Sequence, residues 1–129
     1  MPGDDIQDDL TISDDAILIR RVPSWHWKPE EARPTRMAFR PRNTDSYLSV
    51  FLKDEVTIEE VIADYKPEGR PGIVFLKAGD IRALDQALRI RREPEPEALP
   101  GHCGIHGEVL RVHPEMLRGI AEVILPPEQ

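Results

Sequence analysis

Residues 16–22 read AILIRRV, a short apolar run that ends in two arginines. Its length and its β-branched content favour a strand. Successive side chains of a strand point to opposite faces, so Ile17, Ile19 and Arg21 share one face and Arg20 takes the other. One arginine of the pair is therefore expected to be partly buried or to sit at a strand end, where it needs an anionic partner.

Two further stretches carry the same signal. Residues 46–53 (SYLSVFLK) place Tyr47, Leu48, Val50 and Phe51 in a strand, and residues 72–78 (GIVFLKA) are apolar enough for a central one. Between them, residues 57–65 (TIEEVIADY) predict a helix. Thr57 caps it with Glu60 at capping-box spacing, Ile58, Val61, Ile62 and Tyr65 form its apolar stripe, and Pro67 and Gly69 end it. A second, short helix is expected over 81–86 with Asp80 as its N-cap. Residues 87–92 alternate Leu88 and Ile90 with Arg89 and Arg91 as a half-exposed strand. Short extended pieces are expected at 37–40 and 109–112, and an irregular loop over 23–34 with Trp25 and Trp27 as an aromatic anchor. Residues 93–100 (EPEPEALP) read as a stiff linker. A closing helix is expected over 114–124, with Met116, Leu117, Ile120 and Ile124 on one side and Pro114 suiting its first position. The expectation is a single α+β domain over residues 16–129: a small mixed or antiparallel sheet of short strands with two to three helices.

The chain's 129 residues fit one domain and suffice to fold without metal or disulfide. Its single cysteine, Cys103, excludes a disulfide within the chain and points to a reducing compartment. The N-terminus lacks the basic and apolar regions of a signal peptide. No run approaches the roughly 20 apolar residues that span a bilayer. A cytoplasmic protein without membrane association is expected.

Charge is segregated along the chain. Residues 1–15 hold Asp4, Asp5, Asp8, Asp9, Asp14 and Asp15 and no basic residue, so six units of the net charge of −7 lie there. This stretch reads as a flexible acidic arm; Ile6, Leu10 and Ile12 could pin part of it, or it folds back on the basic segment that follows. That segment, residues 20–42, holds Arg20, Arg21, Lys28, Arg33, Arg36, Arg40 and Arg42 against Glu30 and Glu31. Guanidinium forks suit phosphates and carboxylates and stack on rings, and with Trp25 and Trp27 the segment has the mix that single-stranded nucleic acid favours. The plainer reading is a solvated basic face whose arginines pair with the chain's own carboxylates.

The second cluster is GHCGIHG, residues 101–107. Imidazoles serve as acid, base or metal ligand, so His102 and His106 are the candidate catalytic residues. A zinc reading would recruit His102, Cys103, His106 and His113, but adjacent His and Cys side chains diverge and paired-ligand spacing is absent; no metal and no cofactor is expected. Cys103 as nucleophile would need a neighbouring cation or helix N-terminus. The plainest reading is a glycine-bounded turn whose histidines bond backbone carbonyls. Residues 77–82 (KAGDIR) run from a strand into a helix start that could face an anion, without the spacing of a phosphate-binding loop. Glu93, Glu95 and Glu97 read as spacer residues.

The order Arg20-Arg21-Val22-Pro23, Arg33-Pro34-Thr35 with Ala38 and Phe39, Leu48-Ser49-Val50, Ala78-Gly79-Asp80-Ile81-Arg82, His102 and Ile105-His106-Gly107 resembles a set of small uncharacterised bacterial proteins over most of residues 16–107. The resemblance implies a bacterial origin and a convergence of the arginines, the threonine and the histidine; it implies no activity.

Two functions fit. One is a small binding or accessory module that engages an anionic protein surface or single-stranded nucleic acid through Arg20, Arg21, Arg33, Thr35, Ser49, Trp25 and Trp27, with the acidic arm competing for that surface. The other is a small transferase or hydrolase acting on a phosphate-containing or nucleotide substrate, in which the arginines clamp the anion and His102 or His106 moves the proton.

Overall fold

The computed structural model describes residues 6–128; Asp4 and Asp5 of the acidic arm lie outside the described residues. The protein is a mixed α+β fold. Eight strands are present among the described residues: β1 (Ile17–Val22), β2 (Trp27–Lys28), β3 (Arg33–Pro34), β4 (Leu48–Leu52), β5 (Gly72–Lys77), β6 (Arg89–Arg92), β7 (His102–His106) and β8 (Glu122–Leu125). Six form one sheet in the order β6-β7-β4-β1-β5-β8, and β2 and β3 form a separate ribbon. Every pairing is antiparallel. Four short helices join them: α1 (Ile58–Ala63), α2 (Ala78–Leu84), α3 (Val109–Val112) and α4 (Glu115–Ile120).

The capping box expected at α1 is present: Glu60 N donates to Thr57 Oγ1 at 3.1 Å and Thr57 N donates to Glu60 Oε1 at 2.9 Å. Several elements depart from expectation. Residues 101–107 are no turn, because residues 102–106 form strand β7, buried along its whole length between β6 and β4. Residues 109–112 are helical, and 36–39 form a single 3-10 turn rather than an extended piece. The closing helix stops at Ile120, and Glu122–Leu125 instead covers the open edge of β5. Ladder formation outweighs helix periodicity there, helped by the β-branched Val123 and Ile124. Helix α2 starts at Ala78, so Lys77 stands at its N-cap and Asp80 inside its first turn.

The two faces of the sheet are unequal. One packs Leu18, Val22, Leu48, Val50, Leu52, Val74, Leu76, Ile90, Cys103 and Ile105 against residues of α2, α3, α4 and the 36–39 turn, with Trp27 and Ile12 in the same core. The other is apolar only around Ile19, Phe51 and Ile73, where Val56 and Val61 pack on it. The remainder of that second face is polar and carries Ser49, His102 and His106.

The first residues described are tied to the sheet at its β6 edge. Asp9 N donates to Ile90 O at 2.8 Å and Ile90 N donates to Asp8 Oδ1 at 2.8 Å. Arg82 reaches Asp8 Oδ2 at 2.9 Å, Asp14 Oδ1 at 2.8 Å and Asp9 O at 3.1 Å. Ile12 is buried, whereas Leu10 is exposed. Arg82→Ala strands these carboxylates without their cation. We expect urea unfolding to show a loss of about 1–3 kcal/mol and limited proteolysis to cut first within residues 8–15.

Candidate functional site

The site begins with an incomplete ladder. β1 pairs with β5 along its full length but with β4 only at Leu18↔Leu52 and Ile19↔Phe51. Beyond Ile19 the strands are no longer paired, and Arg20 bridges the opening. Its Nη1 donates to Ser49 O at 2.9 Å, and its Nε donates to Ala38 O at 3.0 Å. A guanidinium thus satisfies a carbonyl of β4 that a backbone N–H of β1 does not reach, which answers the requirement that buried backbone groups be paired.

The opening explains how Arg20 and Arg21, from opposite faces of β1, line one cleft. Its volume is about 480 Å³, and its cations are Arg20, Arg21, Arg40, Arg42 and Lys66, against the carboxylates of Asp45 and Asp64. Trp25, His26, Tyr47, Ser49 and Tyr65 also line it. Arg21 pairs with Asp64 at 3.2 Å and lies over the rings of Phe51 and Tyr65 at 5.0 and 5.6 Å. Arg42 pairs with Asp45 at 2.9 Å. Arg20 has no carboxylate partner among the described residues. Burial, and then the neighbouring Arg21 and Arg42 charges, pull its pKa down to about 10; it stays charged at neutral pH. Burial and the Arg20 charge also lower the pKa of His26, whose Nδ1 is buried with no hydrogen-bond partner.

A second recess of about 390 Å³ adjoins the first, sharing Arg42, Asp45, Tyr47 and Ser49 and adding Thr44, Ser46, Glu95 and His102. Cross-strand register aligns its chemistry. Ser49 stands opposite Gly104 and Phe51 opposite His102, so Ser49, His102, Gly104 and His106 share the polar face. Ser49 Oγ and His102 Nε2 are 2.8 Å apart, and His102 Nδ1 is 2.6 Å from the carbonyl oxygen of Glu93. A carbonyl only accepts, so Nδ1 carries hydrogen, and in the neutral ring Nε2 accepts from the Ser49 hydroxyl. Gly104 makes room for Tyr47: a Cβ there would stand 2.5 Å from the Tyr47 ring. That ring lies between the two imidazoles, 6.0 Å from His102 and 5.2 Å from His106. The Tyr47 hydroxyl donates to Glu95 at 2.9 Å, and burial, with that bond, pushes its pKa up to about 12.

The predicted site residues therefore divide. Arg20, Arg21, Trp25 and Ser49 come together in the cleft, and His102 joins them through Ser49. Arg33, Thr35, Trp27 and His106 do not line either recess. Arg33 stands opposite Lys28 in the β2–β3 ribbon, Thr35 precedes the 36–39 turn, and Trp27 is buried in the main core. His106 Nε2 is 2.7 Å from Glu93 Oε2, which also accepts from Arg91 Nε at 2.9 Å. Glu93 is thus no spacer residue: its carbonyl orients His102 and its carboxylate holds His106. Nor does the described part of the arm reach the cleft, since Asp8 and Asp14 pair with Arg82 and Asp15 with Lys77. Sequence reasoning passed over His26 and Lys66, which lack any local motif, and gave Tyr47 and Tyr65 no role beyond their strand and helix stripe.

Cys103 points to the core face of β7, away from both imidazoles, so it cannot share a metal with them. Among the described residues no group of three or more His, Cys, Asp or Glu is placed to hold a metal ion. Burial pushes the Cys103 thiol up to about 12, which removes the thiolate that a nucleophile requires.

We expect Cys103 to resist iodoacetamide at pH 8 in the folded protein and to react fully in guanidinium chloride, as followed by intact mass. Gly104→Ala should cost about 1–3 kcal/mol in urea unfolding by overpacking, and less than that in a Tyr47→Ala background, where the ring is gone.

Comparisons with protein-family models, with curated proteins and with solved structures gave no match.

Proposed function

We propose that this protein is a small binding module whose divided sheet receives the anionic part of a partner, a phosphate or carboxylate group. The observation that carries this reading is the imbalance within the cleft: five cationic side chains face two carboxylates, and the most deeply set cation, Arg20, is held by carbonyls alone. Hydrogen bonds from guanidinium to a carbonyl satisfy donors without neutralising charge, whereas a phosphate or carboxylate does both. His26 Nδ1 adds an unmet polar atom beside them.

Ring contacts favour a nucleic-acid partner over an acidic protein surface. Trp25 is 65% exposed at the cleft, and Tyr65 lines the same wall. Base stacking on such rings combined with cationic contacts to the backbone is the mode by which single strands are held. A cleft of about 480 Å³ suits one nucleotide unit rather than a duplex, whose width it cannot follow. Among the described residues no helix is long and apolar enough to cross a membrane.

Titration with a short oligothymidylate, followed by tryptophan fluorescence, tests this. Saturable quenching that weakens as salt rises is expected. Trp25→Ala should weaken binding by about 1–3 kcal/mol, and Lys66→Ala should flatten the salt dependence. Arg33→Ala, outside the cleft, should change neither. Equal losses from Arg33→Ala and Trp25→Ala would assign binding to the basic segment as a whole, and tighter binding of a polyglutamate peptide would return the partner to an acidic protein surface.

A further inference from the structure

We propose that Ser49 is a nucleophile activated by His102, and that the recess they share accepts a carboxylic ester carrying an anionic group. The anion-holding part of this inference rests on the binding reading above; the nucleophile does not.

The arrangement has the three parts that an activated hydroxyl needs: a nucleophile within hydrogen-bond reach of a base, and a third group orienting that base. Ser49 Oγ is 2.8 Å from His102 Nε2. The Glu93 carbonyl, 2.6 Å from Nδ1, fixes the tautomer in which Nε2 is free to take a proton. Both partners are rigidly mounted. His102 sits on the buried strand β7, flanked by the rings of Tyr47 and Phe51 at 6.0 and 5.4 Å. The backbone of Ser49 is held from the opposite side by Arg20. A hydrogen bond that served only to fill a core would be sealed from solvent, yet Ser49 and His102 both line an open recess of about 390 Å³. Ser49 also lines the cationic cleft. An ester whose anionic end lies toward Arg21 and Lys66 can therefore bring its carbonyl carbon to Oγ.

In the reaction, Ser49 Oγ attacks the ester carbonyl carbon as its proton passes to His102 Nε2. The carbonyl π pair moves to oxygen, with Arg42 the cation lining that recess. When the pair returns, the bond from carbonyl carbon to alkoxide oxygen breaks, and the departing oxygen takes the proton from His102. This leaves an acyl group on Ser49. Water, deprotonated by His102, releases it as a carboxylic acid and restores the hydroxyl. Arg20 touches no reacting atom and is a positioning residue.

A neutral fluorophosphonate tests the nucleophile without calling on the cationic cleft. Attack by Ser49 Oγ forms an O–P bond, fluoride leaves with its electron pair, and the proton goes to His102. Intact mass of the full chain should show one adduct, and peptide mapping of the wild-type protein should place it on Ser49, so the result does not depend on any variant folding. Ser49→Ala should abolish labelling and His102→Gln should slow it by about a hundredfold or more, with circular dichroism unchanged. No adduct, an adduct on another residue, or an undiminished rate in His102→Gln would overturn the proposal. Oligothymidylate binding that survives while labelling fails would leave the binding reading intact. Labelling of Ser49 without anion binding would keep the nucleophile and remove the anionic group from its substrate.

Discussion

A guanidinium stands where two strands would otherwise close on each other. β1 and β4 begin as neighbours in the middle of the sheet, yet their ladder lasts only two residue pairs. A sheet opened at its centre exposes backbone carbonyls that an apolar core cannot satisfy. Arg20 resolves this by reaching across to Ser49 O and Ala38 O. The fork geometry of arginine suits the task, because it places several donors in a fixed plane and stays charged when buried. Arg20 thus ties β1 to β4 beyond the end of their short ladder while leaving a cleft between these two central strands.

The second consequence is electrostatic. Burial, and then the charges of Arg21 and Arg42 beside it, pull the pKa of Arg20 down to about 10 and so disfavour its charged form. Several other arginines are neutralised by carboxylates. Arg82 has Asp8 and Asp14, Arg92 has Glu55, Arg91 has Glu93 and Arg118 has Glu31. Arg20, by contrast, is answered by the carbonyl dipoles of Ser49 and Ala38 rather than by a carboxylate. An anion placed beside it would both satisfy its donors and offset its charge, which the carbonyls do not. The described part of the acidic arm does not supply this anion: Asp8 and Asp14 are held by Arg82, Asp15 by Lys77, and the Asp9 carboxylate accepts from Thr11.

The central strands, the capping box of α1 and the opposite facing of Arg20 and Arg21 were legible because each rests on a local period or spacing. What was not legible depended on pairing at a distance. GHCGIHG has the glycine content of a turn, but the alternation of His102, Gly104 and His106 is also a strand period, and only the empty slot between β6 and β4 decides for the strand. Gly104 serves there as a seat for the Tyr47 ring, not as a hinge. Residues 121–125 show the same effect: a helical stripe gives way to the demand of β5 for a second neighbour. Trp25 and Trp27 lie two positions apart and look equivalent, yet one is buried in the core and the other is largely exposed. The site residues followed the same rule. Ser49 and His102 are 53 positions apart in sequence, and nothing short of the β4–β7 register brings them together.

Register also sets the division of labour between the two histidines. They occupy equivalent alternating positions on β7, but Glu93 treats them differently. Its main-chain carbonyl bonds His102 Nδ1, whereas its carboxylate bonds His106 Nε2 and Arg91. A carbonyl only accepts, so it holds His102 with a hydrogen on Nδ1 and leaves Nε2 facing the Ser49 hydroxyl. His106, locked between a carboxylate and the Tyr47 ring, is a structural member of the same network. One acidic residue thereby couples the edge of the sheet to the hydroxyl in the recess, and the rigidity of β7 is what keeps that coupling in line.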